Sequence, residues 1–311
     1  MLKQDELYEI FDTTGVDHGV LQDPEAAHLV VHYNKVLGAH LLPGLHVDVT
    51  EREEGIDAKI RLDDGVVIEK PVHICFGMLP EKGLQKIIMD VETGKKSSIS
   101  IYAHCTFPFA LDIKHIMDAK ICIGEDSSYK YFERHIHGSK GGVKVHPKAR
   151  VKLDKGAFFR TEFELIKGRV GLIDIDYETE CGEQSTMEMT ARISGIGDDV
   201  IKIRETGILS GEGARGVLTS RVAVRGNSRA EVFNKLTATA PYARGHVDCK
   251  EIIQDNASAS ATPIVEVLNP KAHVTHEAAI GSVDAKELET LMSRGLTEDE
   301  AVELIIQGLL S

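Results

Sequence analysis

The stretch GDDVIKIRETGILSGEGARGVL, residues 197–218, carries the pattern that decides the fold. Turn-forming residues begin at Gly197 and again at Gly213, and each group precedes a run rich in Ile, Val or Leu. Within the first run, Lys202 and Ile203 fall on opposite faces of an extended chain, because successive side chains of a β-strand alternate between faces. The stretch therefore predicts a strand with one buried face between two turns.

The same rhythm extends over the second half of the chain. Most groups of turn residues begin about 15 residues after the preceding group. Two such units make about 29 residues. That repeat is expected of a β-helix in which each coil gives one strand to each of two facing sheets. The longer gap between the first two starts indicates one missed turn. A β-sandwich is the alternative, but its turns recur about every 8 to 12 residues. The turn starts are Gly156, Gly182, Gly197, Gly213, Asn227, Arg244, Asn256 and Asn269.

Composition narrows the classes of function. The 311 residues are 42% apolar, which is enough for a sizeable core, and the net charge of −13 argues against nucleic acid or anionic lipid as a partner. No apolar run reaches the roughly 20 residues that cross a bilayer, and the N-terminus lacks a basic start followed by an apolar stretch. We therefore expect a cytoplasmic protein with no nucleic-acid or membrane partner.

The two ends of the chain differ from the middle. Residues 1–65 contain KQDELYEIFDTTG and DPEAAHLVVHYNKVLGAH, both with helix-compatible apolar spacing, and Asp23 followed by Pro24 is a typical helix start. We interpret 1–65 as a mixed α/β cap and 66–281 as the β-helix core. A solenoid needs such caps because an open coil presents unpaired strand edges.

Residues 282–311 predict two short helices in a hairpin. In SVDAKELETLMSRG, Asp284 is the expected N-cap and Gly295 the stop; in LTEDEAVELIIQGLL, Thr297 and Glu300 have the spacing of a capping box. The apolar stripe of the second helix either packs on the solenoid as a terminal cap or binds a partner, and both interpretations stay open.

One group of residues predicts metal chemistry. Cys249 precedes Glu277 by 28 residues (277 minus 249), and His276 is adjacent to Glu277. If that spacing equals one coil, the thiol and the carboxylate meet on neighbouring strands about 4.8 Å apart. Thiolate, imidazole and carboxylate are all ligands of iron. The alternative is that Cys249 is an inert core residue and His276 a satisfied core histidine.

Other potential ligands give weaker predictions. His135 and His137 in RHIHGSKGG could chelate a metal from one face of a strand, but a flexible glycine-rich loop with solvated histidines is favoured. We expect Cys105 and Cys122 to be core residues, and Cys181 to be unreactive because its acidic neighbours raise a thiol pKa. The stretch GSKGGVK lacks the spacing of a phosphate-binding loop, so any ATP hydrolysis is expected on another chain.

The C-terminal sequence resembles the SufB/SufD family, the scaffold proteins of the Suf iron–sulfur cluster assembly machinery. The likeness is carried by HVTHEAAIGSVDAKELETLMSRGLTEDEAVELIIQGLL, residues 273–310, and by RGHVDCKEIIQDNASASATPIVEVLNP, residues 244–270. It implies a right-handed parallel β-helix that carries a transient cluster at Cys249, His276 and Glu277, more like SufB than SufD. It also implies pairing through the β-helix end, as a homodimer or a SufB–SufD-type pair, and apoprotein acceptors.

The same resemblance implies that the C-terminal helices dock a SufC-type ABC ATPase. The chain would then be a scaffold rather than an enzyme. The residues predicted to bind the ATPase are Leu288, Leu291, Met292, Arg294, Leu296, Ala301 and Ile305.

A second hypothesis is a carbohydrate-active β-helix enzyme with acidic residues in a groove along one sheet. Such enzymes are usually secreted and bind acidic polymers through basic clusters. The acidic balance and the absence of a distinctive carboxylate pair favour the scaffold.

Overall fold

The computed structural model describes residues 2–311, with side chains from Leu7 onward. Over this part of the chain the strands form a parallel β-solenoid of about eight coils, so the predicted β-helix is confirmed. Successive strands alternate between two facing sheets. The first sheet has the order β19-β17-β15-β13-β11-β9-β7-β5-β1-β2, and the second has the order β18-β16-β14-β12-β10-β8-β6-β4-β3.

The strands are β1 His28–His32, β2 Lys35–His40, β3 Leu45–Glu51, β4 Gly55–Leu62, β5 Val72–Gly77, β6 Lys82–Thr93, β7 Ser98–Phe107, β8 Asp112–Ile123, β9 Ser128–His137 and β10 Val143–Leu153. They continue as β11 Phe158–Lys167, β12 Gly171–Cys181, β13 Thr186–Gly195, β14 Val200–Leu209, β15 Arg215–Val224, β16 Arg229–Ala238, β17 Arg244–Ile253, β18 Ser258–Val267 and β19 His273–Gly281. The helices are α1 Leu2–Thr14, α2 Ala285–Met292 and α3 Glu298–Leu310, with a 3₁₀ turn at His18–Leu21.

The repeat in the later coils follows from strand register. Val200 of β14 lies opposite Arg229 of β16, so one coil has the length that two turn-to-turn units predict. Ile201 and Ile203 point into the core and Lys202 outward, as the alternation predicts. The missed turn in the first gap is the loop around Gly168, which precedes β12. Coil-to-coil pairing is parallel from β4 and β5 onward, which removes the sandwich alternative because sandwich sheets are antiparallel.

Left-handed residues mark one corner of successive coils. Gly156, at φ 67°, donates its N–H to the carbonyl of Glu183 in the next coil, and a Cβ at Gly156 would stand 2.2 Å from an Asp126 carboxylate oxygen. Glycine adopts this conformation at no steric cost, whereas a side chain at this position would be strained and would have to displace the Asp126 carboxylate. The same conformation recurs at the corresponding corner of six successive coils, at Lys96, Asp126, Gly156, Gln184, Gly213 and Tyr242.

The N-terminal segment is mixed, but one predicted helix in it is wrong. The run at 23–40 forms an antiparallel hairpin of β1 and β2, with Tyr33 at a left-handed turn. Tertiary packing overrides the helical spacing there. Val30 of β1 is fully buried against Ile10 and Phe11 of α1, and β1 also pairs in parallel with β5.

Both C-terminal helices begin where the caps predict. The Asp284 side chain accepts hydrogen bonds from the first turn of α2, and Thr297 with Glu300 completes a capping box on α3. Helix α3 lies across the outside of the solenoid, where Ile306 and Leu310 pack on Ala223 of β15. None of the helices in residues 2–311 combines the length and the apolarity that a bilayer crossing demands.

Candidate functional site

Strands β17 and β19, neighbours in the first sheet, carry the predicted ligands. Cys249 lies opposite Ala278, and Glu277 lies opposite Asp248. The coil here is one residue longer than the prediction assumes, so the predicted adjacency of Cys249 and Glu277 is wrong by one position. Because side chains alternate along a strand, the thiol points into the solenoid and the carboxylate points away from it.

His276 is the predicted residue that shares a face with Cys249. It lies opposite Val247, whose side chain is fully buried, so His276 is on the inner side of the last coil. Its position is diagonal to Cys249, one strand across and two residues along. Strand spacing and rise put such positions roughly 8 Å apart at the Cα atoms.

Polar groups surround Cys249 inside the solenoid. The thiol has no solvent exposure, and the Asn234 side-chain amide lies 3.7 Å from Sγ as a donor. Burial raises the pKa of the Cys249 thiol, while hydrogen bonds from Ser220 and Asn234 act in the opposite direction. Glu251, two residues along the same face, has its pKa raised to about 7 by burial. Cys249 is thus a neutral thiol in a polar, enclosed environment.

Glu277 occupies the outer face of the edge strand. Its side chain is 60% exposed, and its carboxylate lies 3.5 Å from the ammonium of Lys250. Lys250 is also 3.7 Å from the carboxylate of Asp248. This is a solvated charge group, and it is separated from Cys249 by the thickness of the sheet.

The last coil leaves its inner face open. His276, Ala278 and Ile280 lie on the inner side of β19 and are all exposed, with Ile280 at 43%, because no further coil covers them. Val267 and Leu268, at the end of β18, are 45% and 70% exposed. The solenoid therefore ends in a rim that exposes His276 and these apolar residues.

Comparison with known proteins decides the family. The model of the SUF system FeS cluster assembly SufBD core domain matches residues 81–309, which include every residue of this site. The chain belongs to the SufBD family. Membership implies a role in iron–sulfur cluster assembly.

Curated relatives of this SufBD protein cover most of its length. A SufBD family protein of Methanocaldococcus jannaschii is 39% identical over 91% of this chain and 89% of its own length. One from Pyrococcus horikoshii is 36% identical over 98% of this chain and 92% of its own. The iron–sulfur cluster assembly protein SufB of Bacillus subtilis is 32% identical over 42% of this chain and 35% of its own.

The helices of this SufBD protein expose part of the predicted ATPase-docking set. Met292 is 42% exposed and Arg294 is also exposed, whereas Ala301 is fully buried and cannot contact a partner in this conformation. The remaining four are partly exposed: Leu288, Leu291, Leu296 and Ile305.

The favoured interpretation of His135 and His137 as solvated loop residues is wrong. Both lie in β9 and are buried, at 1% and 6% exposure. The signal that could have found them is the alternation in SYKYFERHIH, which continues through both histidines. The same alternation places Glu133 inside, at 1% exposure.

Two of the three remaining cysteines that the sequence singled out are core residues. Cys105 and Cys181 are fully buried, and burial raises the pKa of Cys181 to about 12, with the acidic neighbour Glu180 a smaller cause. Cys122 is partly exposed on the outward side of β8, so its assignment to the core is wrong.

Proposed function

We propose that the chain is a scaffold on which a nascent iron–sulfur cluster is built at the open end of the solenoid. The observation that supports this most directly is the register of β17 and β19, which puts a thiol and an imidazole on the same face of neighbouring coils. The protein supplies ligands and a surface, and the cluster is its cargo. The family match argues for this role over the carbohydrate-active alternative.

The ligand types suit a cluster that must be released. Cys249 and His276 offer sulfur and nitrogen, and mixed ligation with fewer than four thiolates holds a cluster less firmly than a full cysteine set. Glu277 keeps its predicted ligand role as a proposal. Because Glu277 lies on the edge strand β19, we propose that it would reach the cluster at the junction with a second chain. Apoprotein acceptors would then take the cluster from this exposed end.

Loading the site requires movement, because Cys249 is fully buried. A shift of β18 and β19 away from β17 would admit iron and sulfide to the thiol. We assign that shift to a SufC-type ABC ATPase bound at the C-terminal helices, with ATP hydrolysis on that partner. The ATPase must bind the open arrangement more tightly than the closed one to move the population. We place this assembly in the cytoplasm.

The cluster proposal is tested by anaerobic reconstitution with iron and sulfide, read by visible absorption and by iron content. Cys249→Ser and His276→Ala should lose most of the cluster. Cys181→Ser removes an equally buried thiol far from the site and should retain it. Equal cluster content in wild type and Cys249→Ser would rule out Cys249 as a ligand, and Glu277→Gln decides whether the carboxylate takes part.

A second chain is the proposed cover of the open end, as a homodimer or a SufB–SufD-type pair. Ile280→Asp, at 43% exposure on β19, should shift the purified chain to monomer in light scattering. Val217→Asp, at 37% exposure on β15 in the middle of the first sheet, is the matched control and should leave the mass unchanged. A dimer that survives Ile280→Asp would place the interface elsewhere.

ATPase docking is tested on the exposed helix residues. Met292→Asp should abolish co-purification with a SufC-type ATPase. Leu304→Asp changes a similarly exposed residue of α3, at 47% against 42%, outside the predicted set and should preserve binding. Loss of binding in both variants, or in neither, would contradict the assignment.

A further inference from the structure

A second group of potential ligands lies inside the middle coils, remote in sequence from the cluster site. Cys105 on β7 and His135 on β9 are direct register partners in the first sheet. His115 reaches them from β8 in the facing sheet, and ligand atoms of all three lie within 4.8 Å of one another. All three side chains are at most 1% exposed.

Glu133 adds a fourth donor to this group. One of its carboxylate oxygens is 3.8 Å from the Cys105 sulfur and 2.8 Å from Nε2 of His135. The other oxygen accepts a hydrogen bond from Tyr177 at 3.5 Å. In a tetrahedral site with bonds of about 2.0–2.3 Å, neighbouring ligand atoms stand roughly 3.3–3.8 Å apart. The Glu133 oxygen already lies near Cys105 and His135. Its side chain must move toward His115 to complete such a site, because only the other three ligand atoms lie within 4.8 Å of one another.

A chain of hydrogen bonds fixes which nitrogen of His135 carries a lone pair. Nδ1 of His137 lies 3.2 Å from the backbone carbonyl of Arg169, which can only accept, so this nitrogen carries the proton. Both rings are enclosed in the core, where an imidazole is neutral and carries a single ring proton. Nε2 of His137 is therefore an acceptor for Nδ1–H of His135 at 3.1 Å. The remaining nitrogen, Nε2 of His135, presents a lone pair to the Glu133 oxygen.

Two acceptors at 2.8 Å repel each other unless a proton or a cation lies between them. Nearby, both ring nitrogens of His115 are buried without any hydrogen-bond partner. Buried polar nitrogens of this kind are rare and costly in folded proteins. A bound cation would resolve both features, since it accepts the lone pairs of His135 and His115 together.

We propose that Cys105, His115, Glu133 and His135 form a closed structural site for one divalent transition-metal ion of the zinc or iron(II) type. Four protein ligands leave no open position, which is typical of structural sites. A thiolate, a carboxylate and two neutral imidazoles carry a formal charge of −2, which the ion neutralises. Starting from the thiol and the protonated acid, binding releases two protons to solvent. His137 is a positioning residue, because it orients His135 through the hydrogen bond to Nδ1.

The experiment uses Co²⁺ as the probe on the full chain, after chelation and under anaerobic conditions. Because the site is enclosed, the chain is also refolded from urea in the presence of Co²⁺. We expect one Co²⁺ per chain, with the absorption of tetrahedral cobalt and a thiolate charge-transfer band. Cys105→Ser should lose the charge-transfer band, His115→Ala should lose stoichiometric binding, and Cys181→Ser should retain both. His137→Phe should weaken binding about 10–100-fold while the charge-transfer band persists.

The outcome is independent of the cluster proposal. Cys249→Ser should bind Co²⁺ as wild type does, and loss of the band in that variant would place the metal at the end of the solenoid instead. Refolded wild type that binds no Co²⁺, or a charge-transfer band that survives Cys105→Ser, would overturn the site. Zn²⁺ should raise the melting temperature of wild type but not that of Cys105→Ser, which supplies a readout without spectroscopy.

Discussion

The middle coils and the last coil present similar ligand types in opposite conditions. In the middle, Cys105 and His135 face each other in direct register, with further coils on both sides. At the end, Cys249 and His276 are one diagonal step apart, and the histidine is exposed. The difference shows that the burial of a ligand side chain in a solenoid depends mainly on whether further coils follow its own coil. The residue types within the coil matter much less.

That contrast has a chemical counterpart. Four donors enclosed on all sides suit an ion that stays, because exchange needs local unfolding of several coils. Ligands beside an open rim suit a cargo that arrives and leaves. In these two proposals, one repeat architecture would provide both retention of an ion and release of a cluster, at different distances from its open end.

The largest expected change in the free energy of unfolding comes from truncating one isoleucine inside the solenoid and one on the last coil. Ile203→Ala removes an inward-facing residue of β14 at 2% exposure and should lower the free energy of unfolding by about 2–5 kcal/mol. Ile280→Ala makes the same change at 43% exposure and should cost no more than about 0.5 kcal/mol in the monomer. Urea unfolding measures both, and similar losses would contradict the contrast.

The next effect concerns a buried acid. Burial raises the pKa of Glu205 from 4.5 to about 8, with Tyr177 and Cys249 among its titratable neighbours. The folded chain therefore keeps a proton that the unfolded chain releases. The contribution of protonated Glu205 to the free energy of unfolding is fully present below pH 4.5 and is lost as the pH rises to about 8. At pH 7 the loss is on the order of 3 kcal/mol.

Glu205→Gln removes this titration. The free energy of unfolding of the variant should vary less between pH 5 and pH 8 than that of wild type, as measured by denaturant unfolding across the range. Glu180→Gln, on the outer face of β12, is a control that should keep the wild-type profile. Parallel profiles for wild type and Glu205→Gln would show that Glu205 is ionised in the folded chain.

A smaller effect tests how α3 is attached. Arg225 forms an ion pair at 2.5 Å with Glu303 of α3, and both side chains are partly exposed. Arg225→Ala should weaken the docking of α3 by up to about 1 kcal/mol, seen as faster hydrogen exchange in α3. Exchange in β19 should stay unchanged, because α3 packs on β13 and β15. Faster exchange in β19 as well would mean that the helix supports the last coil.

The smallest effect is expected at the outer face of the last coil. Lys250→Ala removes the ammonium beside Glu277 and Asp248 and should change the free energy of unfolding by less than about 0.5 kcal/mol. It should also leave cluster content unchanged in reconstitution, since an ammonium group is not a ligand of iron and the Glu277 carboxylate stays in place. A marked fall in cluster content would show that Lys250 itself takes part in the site.

The sequence predicts the repeat well because period and alternation are local properties. The capping residues at Asp284 and Thr297 act within one helical turn and were also predictable. The register of β19 against β17 was not predictable. One coil is the sum of two strands and two turns, and a single extra residue in any of them moves Glu277 from the inner face of the sheet to the outer face. The hairpin at 28–40 depends on contacts with α1, which local spacing does not contain.

The inner histidines show a different limit. The pair His135 and His137 is followed by glycines, and composition near a strand end resembles that of a loop. The ligand group is recognised from the pairing of His135 with Cys105 in the preceding coil. That pairing can be predicted only when the number of residues in this coil is known.

The two ends of the solenoid differ in strand direction. β2 and β3, the outermost strands at the N-terminal end, run antiparallel to their neighbours, whereas β18 and β19 continue the parallel series. Helix α1 packs on the sheet that ends in β2. In the proposed rim-to-rim pair, both molecules would present only their N-terminal ends to a third chain. Growth into a filament, the usual hazard of an exposed parallel edge, would then stop at two chains.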